Sequence, residues 1–377
     1  MKLHTCWFNK ESIFGNGAIR ALKEIIERHH FRKAFLVTDN GVIATGIADR
    51  IKMVLDSIEM SYELFSDIQP NPRVKTVQSC LCHFEKSKAD FIIALGGGSV
   101  IDTAKAVGMI YSNPIHHDVV SLAGNNCLPN PSISVIAIPT TAGTASEVTM
   151  NYVVTDEEKI EKIVCSDPGC IPMVAIIDPE LMAKMPPELA AATGMDALTH
   201  AIEGYCTKDA WELTDILQLG AIQLIFQHLM LSVGGELRGR EGMAIAQYIA
   251  GIGFSNTGLG IVHSMAHSLG ALYDTPHGIA NAVLLPYVLE YNLKELPQNK
   301  ITGLARAMGA EESMHGIITA VRNLSKCIGL PSRLRELCID KKDITKLSHI
   351  AFHDANTTGN PRSVTIDEII EIFKNSY

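Results

Sequence analysis

Between Arg240 and Lys294 the chain carries no lysine or arginine, yet it holds His263, His267 and His277 among glycines and small apolar residues. A stretch so poor in charge reads as buried, and buried imidazoles require partners. His263 and His267 stand four apart in Ile261-Val262-His263-Ser264-Met265-Ala266-His267, so on a helix they project from one face, a turn apart. Asp196 and His200 repeat that spacing in Gly194-Met195-Asp196-Ala197-Leu198-Thr199-His200, and His277 follows in Thr275-Pro276-His277-Gly278. A carboxylate with several imidazoles suits Fe²⁺, Zn²⁺, Co²⁺ or Mn²⁺ better than thiolate-seeking ions. A lone histidine on an apolar helix is more often a hydrogen-bonded core residue. Several in convergent segments favour a metal, although spacing does not say which of them are ligands.

With 377 residues the chain has room for two domains and a large core. Its 41 acidic residues outnumber 32 basic ones, giving a net charge of −9, and no basic run tracks a phosphate backbone, so no nucleic-acid partner is expected. Met1-Lys2-Leu3-His4-Thr5-Cys6-Trp7 has no apolar run ending in a cleavage site, and no 18 uninterrupted apolar residues occur. The expectation is a cytoplasmic protein without a membrane span. Nine scattered cysteines, without a C-x-x-C pair, fit reduced thiols, each taken as a small buried hydrophobe.

From residue 34 the pattern alternates β-branched runs with helical periodicity, the signature of βαβ units on a parallel sheet. Strands are expected at 34–38, 62–65, 91–95, 133–138 and 174–177, helices at 43–58, from Asn71-Pro72 to Lys88, and from near Ile101, and a hairpin from 150–155 with 162–165. After Asp178 strand patterns give way to long helical ones. The architecture is therefore an α/β dinucleotide-binding domain with a parallel sheet over 1–182, and an all-α metal-binding domain over 183–377, with the cleft between them.

Strand 91–95 runs into Gly96-Gly97-Gly98-Ser99 and then a helix. Glycines there permit positive φ and close approach, and a helix N-terminus offers free N–H groups to phosphate. A tight turn without a ligand explains three glycines about as well, and the pattern is not G-x-G-x-x-G. Asp39, at the carboxyl end of the first strong strand, suits a ribose 2′-hydroxyl, but an Asp before Asn-Gly is also an ordinary turn former. Pro139-Thr140-Thr141-Ala142-Gly143-Thr144-Ala145-Ser146 reads as a strand-end loop touching phosphate or ribose, or as a capped turn.

Together Gly96-Gly97-Gly98-Ser99 with Asp102 and Lys105, Pro139 to Thr144, Gly194 to Glu203, and His263-Ser264-Met265-Ala266-His267 with Pro276-His277-Gly278 resemble the iron-dependent, group III alcohol dehydrogenases over nearly the whole chain. The resemblance implies Asp196, His200, His263 and His277 as metal ligands, Fe²⁺ ahead of Zn²⁺, and His267 as a catalytic neighbour of the nicotinamide. It implies NAD as coenzyme, with pyrophosphate on Gly97, Gly98 and Ser99 and the adenosine ribose on Asp39. Asn71, Asp102, Thr140, Thr141, Thr144, Asn151 and Lys162 fall on further cofactor positions. It also implies a homodimer with Trp7 and Phe8 against the partner. Asp354-Ala355-Asn356-Thr357 departs from the family's Cys-containing stretch and is expected to line the substrate cleft.

The expected reaction is metal-dependent hydride transfer between NAD(H) and short neutral aldehydes or alcohols, lactaldehyde and 1,2-propanediol among them. Other short alcohols, including 1,3-propanediol, are the alternative. A lyase like dehydroquinate synthase would need several Lys or Arg around a phosphorylated carboxylate, which the stretch from Glu241 to Leu293 does not supply.

Overall fold

The computed structural model describes residues 3–125 and 127–377. Met1 and Lys2, on which part of the leader reading rests, lie outside the described residues. In chain order the strands are β1 (Glu11–Phe14), β2 (Lys33–Val37), β3 (Ser61–Phe65), β4 (Phe91–Gly96), β5 (Gly124–Asn125), β6 (Val135–Pro139), β7 (Asn151–Asp156), β8 (Glu161–Ser166) and β9 (Val174–Ile177). Six of them form a parallel sheet in the order β1-β9-β6-β4-β2-β3.

Alternation along β2, β4 and β6 explains why this sheet is covered on both faces. Phe35, Val37, Ile92, Ala94, Val135 and Ala137 point to one core, shared with α4 (Val74–Ser87) and α5 (Gly98–Ser112). Leu36, Ile93, Leu95, Ile136 and Ile138 point to the other, covered by α1 (Ala21–His29) and α3 (Ile47–Ser57). The short α2 (Asn40–Ala44) precedes α3. Because β6, β4 and β2 are neighbours, Thr140, Gly97 and Asp39 emerge from adjacent strands at the same edge, where open α/β sheets bind ligands. β7 and β8 make the expected antiparallel hairpin, extended by β5.

Beyond β9 the described residues form no further strand. The helices are α6 (Pro179–Met182), α7 (Pro187–Cys206), α8 (Glu212–Val233), α9 (Leu237–Ser255), α10 (Ile261–Tyr273), α11 (His277–Asn292), α12 (Gln298–Met308), α13 (Met314–Cys327), α14 (Ile344–His353) and α15 (Ile366–Ser376). At their centre lies α7, buried almost throughout from Ala190 to Cys206 and packed on α8, α9 and α11. Gly194 permits this: a Cβ there would come 2.1 Å from Leu229 Cδ1 on α8. By length and composition α8 is apolar enough to cross a membrane, yet Ala221, Ile222, Ile225 and Leu229 pack into the core.

Four local expectations need correction. The helix expected over 43–58 is broken into α2 and α3 by Gly46 in the left-handed region at φ 78°. β1 and α1 precede the expected start of the α/β pattern; β1 is only half-buried at a sheet edge and shows no apolar alternation. None of Gly96, Gly97 and Gly98 takes positive φ. Only Cys80, Cys165, Cys170 and Cys206 are buried; Cys82, Cys127, Cys327 and Cys338 are exposed and Cys6 is intermediate, so the buried-hydrophobe reading fails for five.

Candidate active site

Two helices and a helix start bring the acidic and imidazole groups together. Asp196 and His200 share a face of α7, His263 and His267 share one of α10, and His277 opens α11 after Pro276. Asp196 Oδ1 lies 3.9 Å from His263 Nε2 and 3.5 Å from His277 Nε2. Ligand atoms of Asp196, His263 and His277 all fall within 4.8 Å of one another. His200 stands beside this trio: Nδ1 is 3.9 Å from Asp196 Oδ2, and its ring is stacked between Phe254 at 4.2 Å and His263 at 4.5 Å.

The donor set has more lone pairs than protons to satisfy them. Asn281 Nδ2 alone faces Asp196 Oδ1 at 2.7 Å, His277 Nε2 at 3.2 Å and His263 Nε2 at 3.4 Å. Buried His200 Nδ1 and Asn281 Oδ1 have no hydrogen-bond partner among the described residues. Burial pushes the His200 pKa down, and those of His263 and His277 well below the usual 6.5. Neutral imidazoles and a carboxylate converging on one point fit a divalent cation. Glu203, one turn beyond His200 on α7, places Oε2 2.6 Å from His263 Nδ1 and accepts the Val262 N–H at 2.7 Å through Oε1. That contact commits Nδ1 and leaves Nε2 to face Asp196.

On the sheet side, Gly97 is the N-cap of α5. Its neighbours explain the glycines: a Cβ on Gly97 would lie 3.2 Å from Thr141 Oγ1, and one on Gly98 2.7 Å from Thr144 Cγ2. Close approach, not positive φ, is what they provide. Asp39 caps α2, accepting the Val42 N–H at 2.8 Å. Asp102 is held by the Ser146 hydroxyl and by Val153 N–H at 3.0 Å, and burial raises its pKa. The fully buried Lys105 amine donates to Thr149 O and Asn151 O, each at 2.8 Å, so it fixes the start of β7.

Two family descriptions match the chain: "Iron-containing alcohol dehydrogenase" over residues 9–179 and "Fe-containing alcohol dehydrogenase family, C-terminal" over 190–377. The lactaldehyde reductase of Escherichia coli (strain K12) is 46% identical over 376 residues, 98% of each chain. The chain belongs to the iron-containing alcohol dehydrogenase family. A crystal structure of 1,3-propanediol oxidoreductase superposes with a TM-score of 0.95 at 38% identity, covering 100% of both chains. Sulfoacetaldehyde reductase from Bifidobacterium kashiwanohense, in complex with NAD⁺, superposes with a TM-score of 0.90 at 29% identity, covering 100% of this chain and 99% of that one. This alcohol dehydrogenase is thus an oxidoreductase with a parallel-sheet N-terminal half and a helical C-terminal half.

In the dehydrogenase, Asn71, Gly98, Ser99, Asp102, Thr144, Asn151, Lys162, Asp196, His200, His263, His267 and His277 line a single cavity. Asp39, Gly97, Thr140 and Thr141 are not part of that lining; they follow the carboxyl ends of β2, β4 and β6. Lys162 also belongs to the cavity, so the space is not free of positive charge. Its amine donates to Asn71 Oδ1 and Thr155 Oγ1, each at 2.8 Å, and Asn71 Nδ2 reaches Asp274 Oδ1 at 2.7 Å, linking the β8 hairpin to the end of α10. Sequence reasoning missed Glu203 and Asn281. Both carried a signal: Glu203 continues the Asp196–His200 face, and Asn281 follows His277 by four.

Proposed function

We propose that the enzyme transfers hydride between NAD(H) and short neutral aldehydes or alcohols at a divalent metal, the favoured reaction being lactaldehyde plus NADH and a proton to 1,2-propanediol plus NAD⁺. One observation carries this reading: a single cavity runs from Gly98 and Ser99 at the start of α5 to Asp196, His263 and His277. Likeness to lactaldehyde reductase supports the substrate, and likeness to 1,3-propanediol oxidoreductase favours 1,3-propanediol as the second reading. The NAD⁺ held by the sulfoacetaldehyde reductase structure supports the coenzyme.

Asp196, His200, His263 and His277 would hold the ion, Fe²⁺ by family and Zn²⁺ as the alternative; when bound it supplies Lewis acidity to a carbonyl or alcohol oxygen. Gly97, Gly98 and Ser99 with the α5 N-terminus take the pyrophosphate, and Asp39 the adenosine ribose. Asn71, Asp102, Thr140, Thr141, Thr144 and Lys162 border the coenzyme. Asn151 and Phe254 bound the substrate space, and His267 carries the proton. Arg362, stacked 3.8 Å over the Tyr291 ring and paired with Glu368, is held away from the cavity. Among the described residues Lys162 is then the one cationic side chain in the cavity lining, and it is already hydrogen-bonded, which supports neutral substrates.

In the same reading residues 1–182 form the coenzyme unit and 183–377 the metal unit, as the family matches over 9–179 and 190–377 support. The chain works as a cytoplasmic homodimer, its exposed Trp7 and Phe8 packing on the partner. A scan of C2–C4 alcohols and aldehydes with NAD(H), after loading Fe²⁺ or Zn²⁺, tests the function. His263→Ala should lose metal and activity together, whereas His267→Ala should keep the metal and slow turnover. Full turnover of His263→Ala after chelation overturns the metal reading.

A further inference from the structure

His267 is gripped from a part of the chain far from the coenzyme loops. Its Nδ1 lies 2.7 Å from Asp354 Oδ2, with 7% of the histidine side chain and 6% of the aspartate side chain exposed. Asp354 follows α14 and caps the turn at 355–359. Its other oxygen, Oδ1, accepts the Asn356 N–H at 2.9 Å, the Asn356 amide at 3.0 Å and the Ser264 hydroxyl at 3.3 Å. Thr357 locks the turn to α10, donating to Ser264 Oγ at 2.8 Å within reach of Ala351 O at 2.7 Å. The carboxylate thus cannot rotate away from the imidazole without breaking several contacts at once.

We propose that Asp354 is the positioning residue of the proton-transfer step: it fixes His267 as the Nδ1–H tautomer and turns Nε2 toward the cavity. This inference rests on the reading of His267 as the proton carrier. Burial pushes the Asp354 carboxyl up, but His267 and the Asn356 groups outweigh it and hold it below the ordinary range. Asp354 Oδ2 accepts from Nδ1, and in the neutral ring the remaining lone pair then lies on Nε2, on the opposite ring edge. His267 lines the cavity, so this is the nitrogen available there. In the oxidation direction Nε2 accepts the alcohol proton while hydride leaves for the nicotinamide, and Asp354 stabilises the imidazolium that forms. In the reduction direction Nε2–H returns the proton to the alkoxide oxygen. The arrangement is a carboxylate–imidazole pair whose carboxylate orients and stays ionised.

The test compares Asp354→Asn with His267→Ala in metal-loaded enzyme, reading kcat, the KM for lactaldehyde, the kcat solvent isotope effect in D2O, NADH affinity by nicotinamide fluorescence, metal content and melting temperature. Asp354→Asn should lower kcat on the order of 10²-fold, the scale of a lost positioned acid–base group, while KM, NADH affinity and metal content stay within about twofold. Its solvent isotope effect should rise as proton transfer becomes slower, which a merely structural role would not produce. Asp354→Glu should recover part of the loss. Should Asp354→Asn fail to fold, Asp354→Glu decides: turnover above that of His267→Ala supports the pairing, and turnover equal to it with metal bound overturns it. Unchanged kcat and isotope effect in Asp354→Asn, with His267→Ala impaired, overturns the role of Asp354 alone. Full kcat in His267→Ala overturns both roles.

Discussion

Glu203 Oε2 sits 2.6 Å from His263 Nδ1, so the carboxylate from α7 fixes the ring that α10 contributes to the candidate metal site. Glu203 is itself buried and accepts the Val262 N–H, which leaves the imidazole little freedom to rotate. Partners of this kind orient a ligand and raise its basicity, and their loss costs about 10–100-fold in metal affinity. Glu203→Gln should therefore weaken metal binding by that factor while leaving NADH affinity near the parent value. Competition with a chelator measures it; equal retention of metal in the two proteins would show that His263 is oriented by packing alone.

Asp39 has one observed task and one proposed, and substitution separates them. The structure shows it as the N-cap of α2, and the proposed coenzyme reading gives it the adenosine ribose. A carboxylate facing a 2′-phosphate should cost about 1–3 kcal/mol, so NAD(H) should be preferred over NADP(H) by roughly 5- to 150-fold. Asp39→Asn keeps a good cap and removes the charge, so it should relax the preference without loss of stability. Asp39→Ala should relax it as well and cost about 1 kcal/mol through the lost cap. Steady-state kcat/KM for both coenzymes checks this, and equal efficiency of the parent enzyme with both would refute the ribose assignment.

Lys162 predicts a pH dependence. Burial lowers its pKa to about 8, against the opposing pull of Asp274 and Asp102. The amine is therefore charged below about pH 8 and loses its charge above it. An anionic coenzyme in the same cavity should bind more weakly as pH rises through that value, and Lys162→Met should flatten the profile. For stability the sign is opposite. The folded pKa lies below the unfolded one, so burying the ammonium costs stability below about pH 8, and the cost fades as pH rises toward 10.5. A parent NADH dissociation constant that is constant from pH 7 to 9 would remove Lys162 from the coenzyme site.

The convergence of these side chains was legible because helical spacing is fixed: Asp196 with His200 and His263 with His267 need only a helix to share a face. The α/β alternation was legible where strands are buried on both sides, as in Phe91 to Leu95, and not at β1, where Glu11-Ser12-Ile13-Phe14 pairs with β9 at an edge and shows no pattern. The glycines after β4 were located correctly but for an incomplete reason, since their need arises from Thr141 and Thr144, which lie far along the chain. The Asp354–His267 contact joins residues 87 apart, and no local periodicity reports it.

Asn356 offers the last prediction, on substrate choice. It lines the cavity beside His267, and both its N–H and its side-chain Nδ2 are drawn to Asp354 Oδ1, which leaves Oδ1 of the amide as the atom free to accept from a ligand. A substrate with a hydroxyl on the carbon next to the reacting one, such as lactaldehyde or 1,2-propanediol, can donate to that oxygen; propanal and 1-propanol cannot. A neutral hydrogen bond of this kind contributes about 0.5–1.5 kcal/mol, or roughly 2- to 13-fold. Asn356→Ala should lower kcat/KM for lactaldehyde by that factor and leave propanal within about twofold. An equal fall for both substrates would mean that Asn356 acts through Asp354 and the orientation of His267. An unchanged ratio with unchanged rates would mean that this hydroxyl is bound elsewhere, with Asn151, also in the cavity lining, as the next residue to substitute.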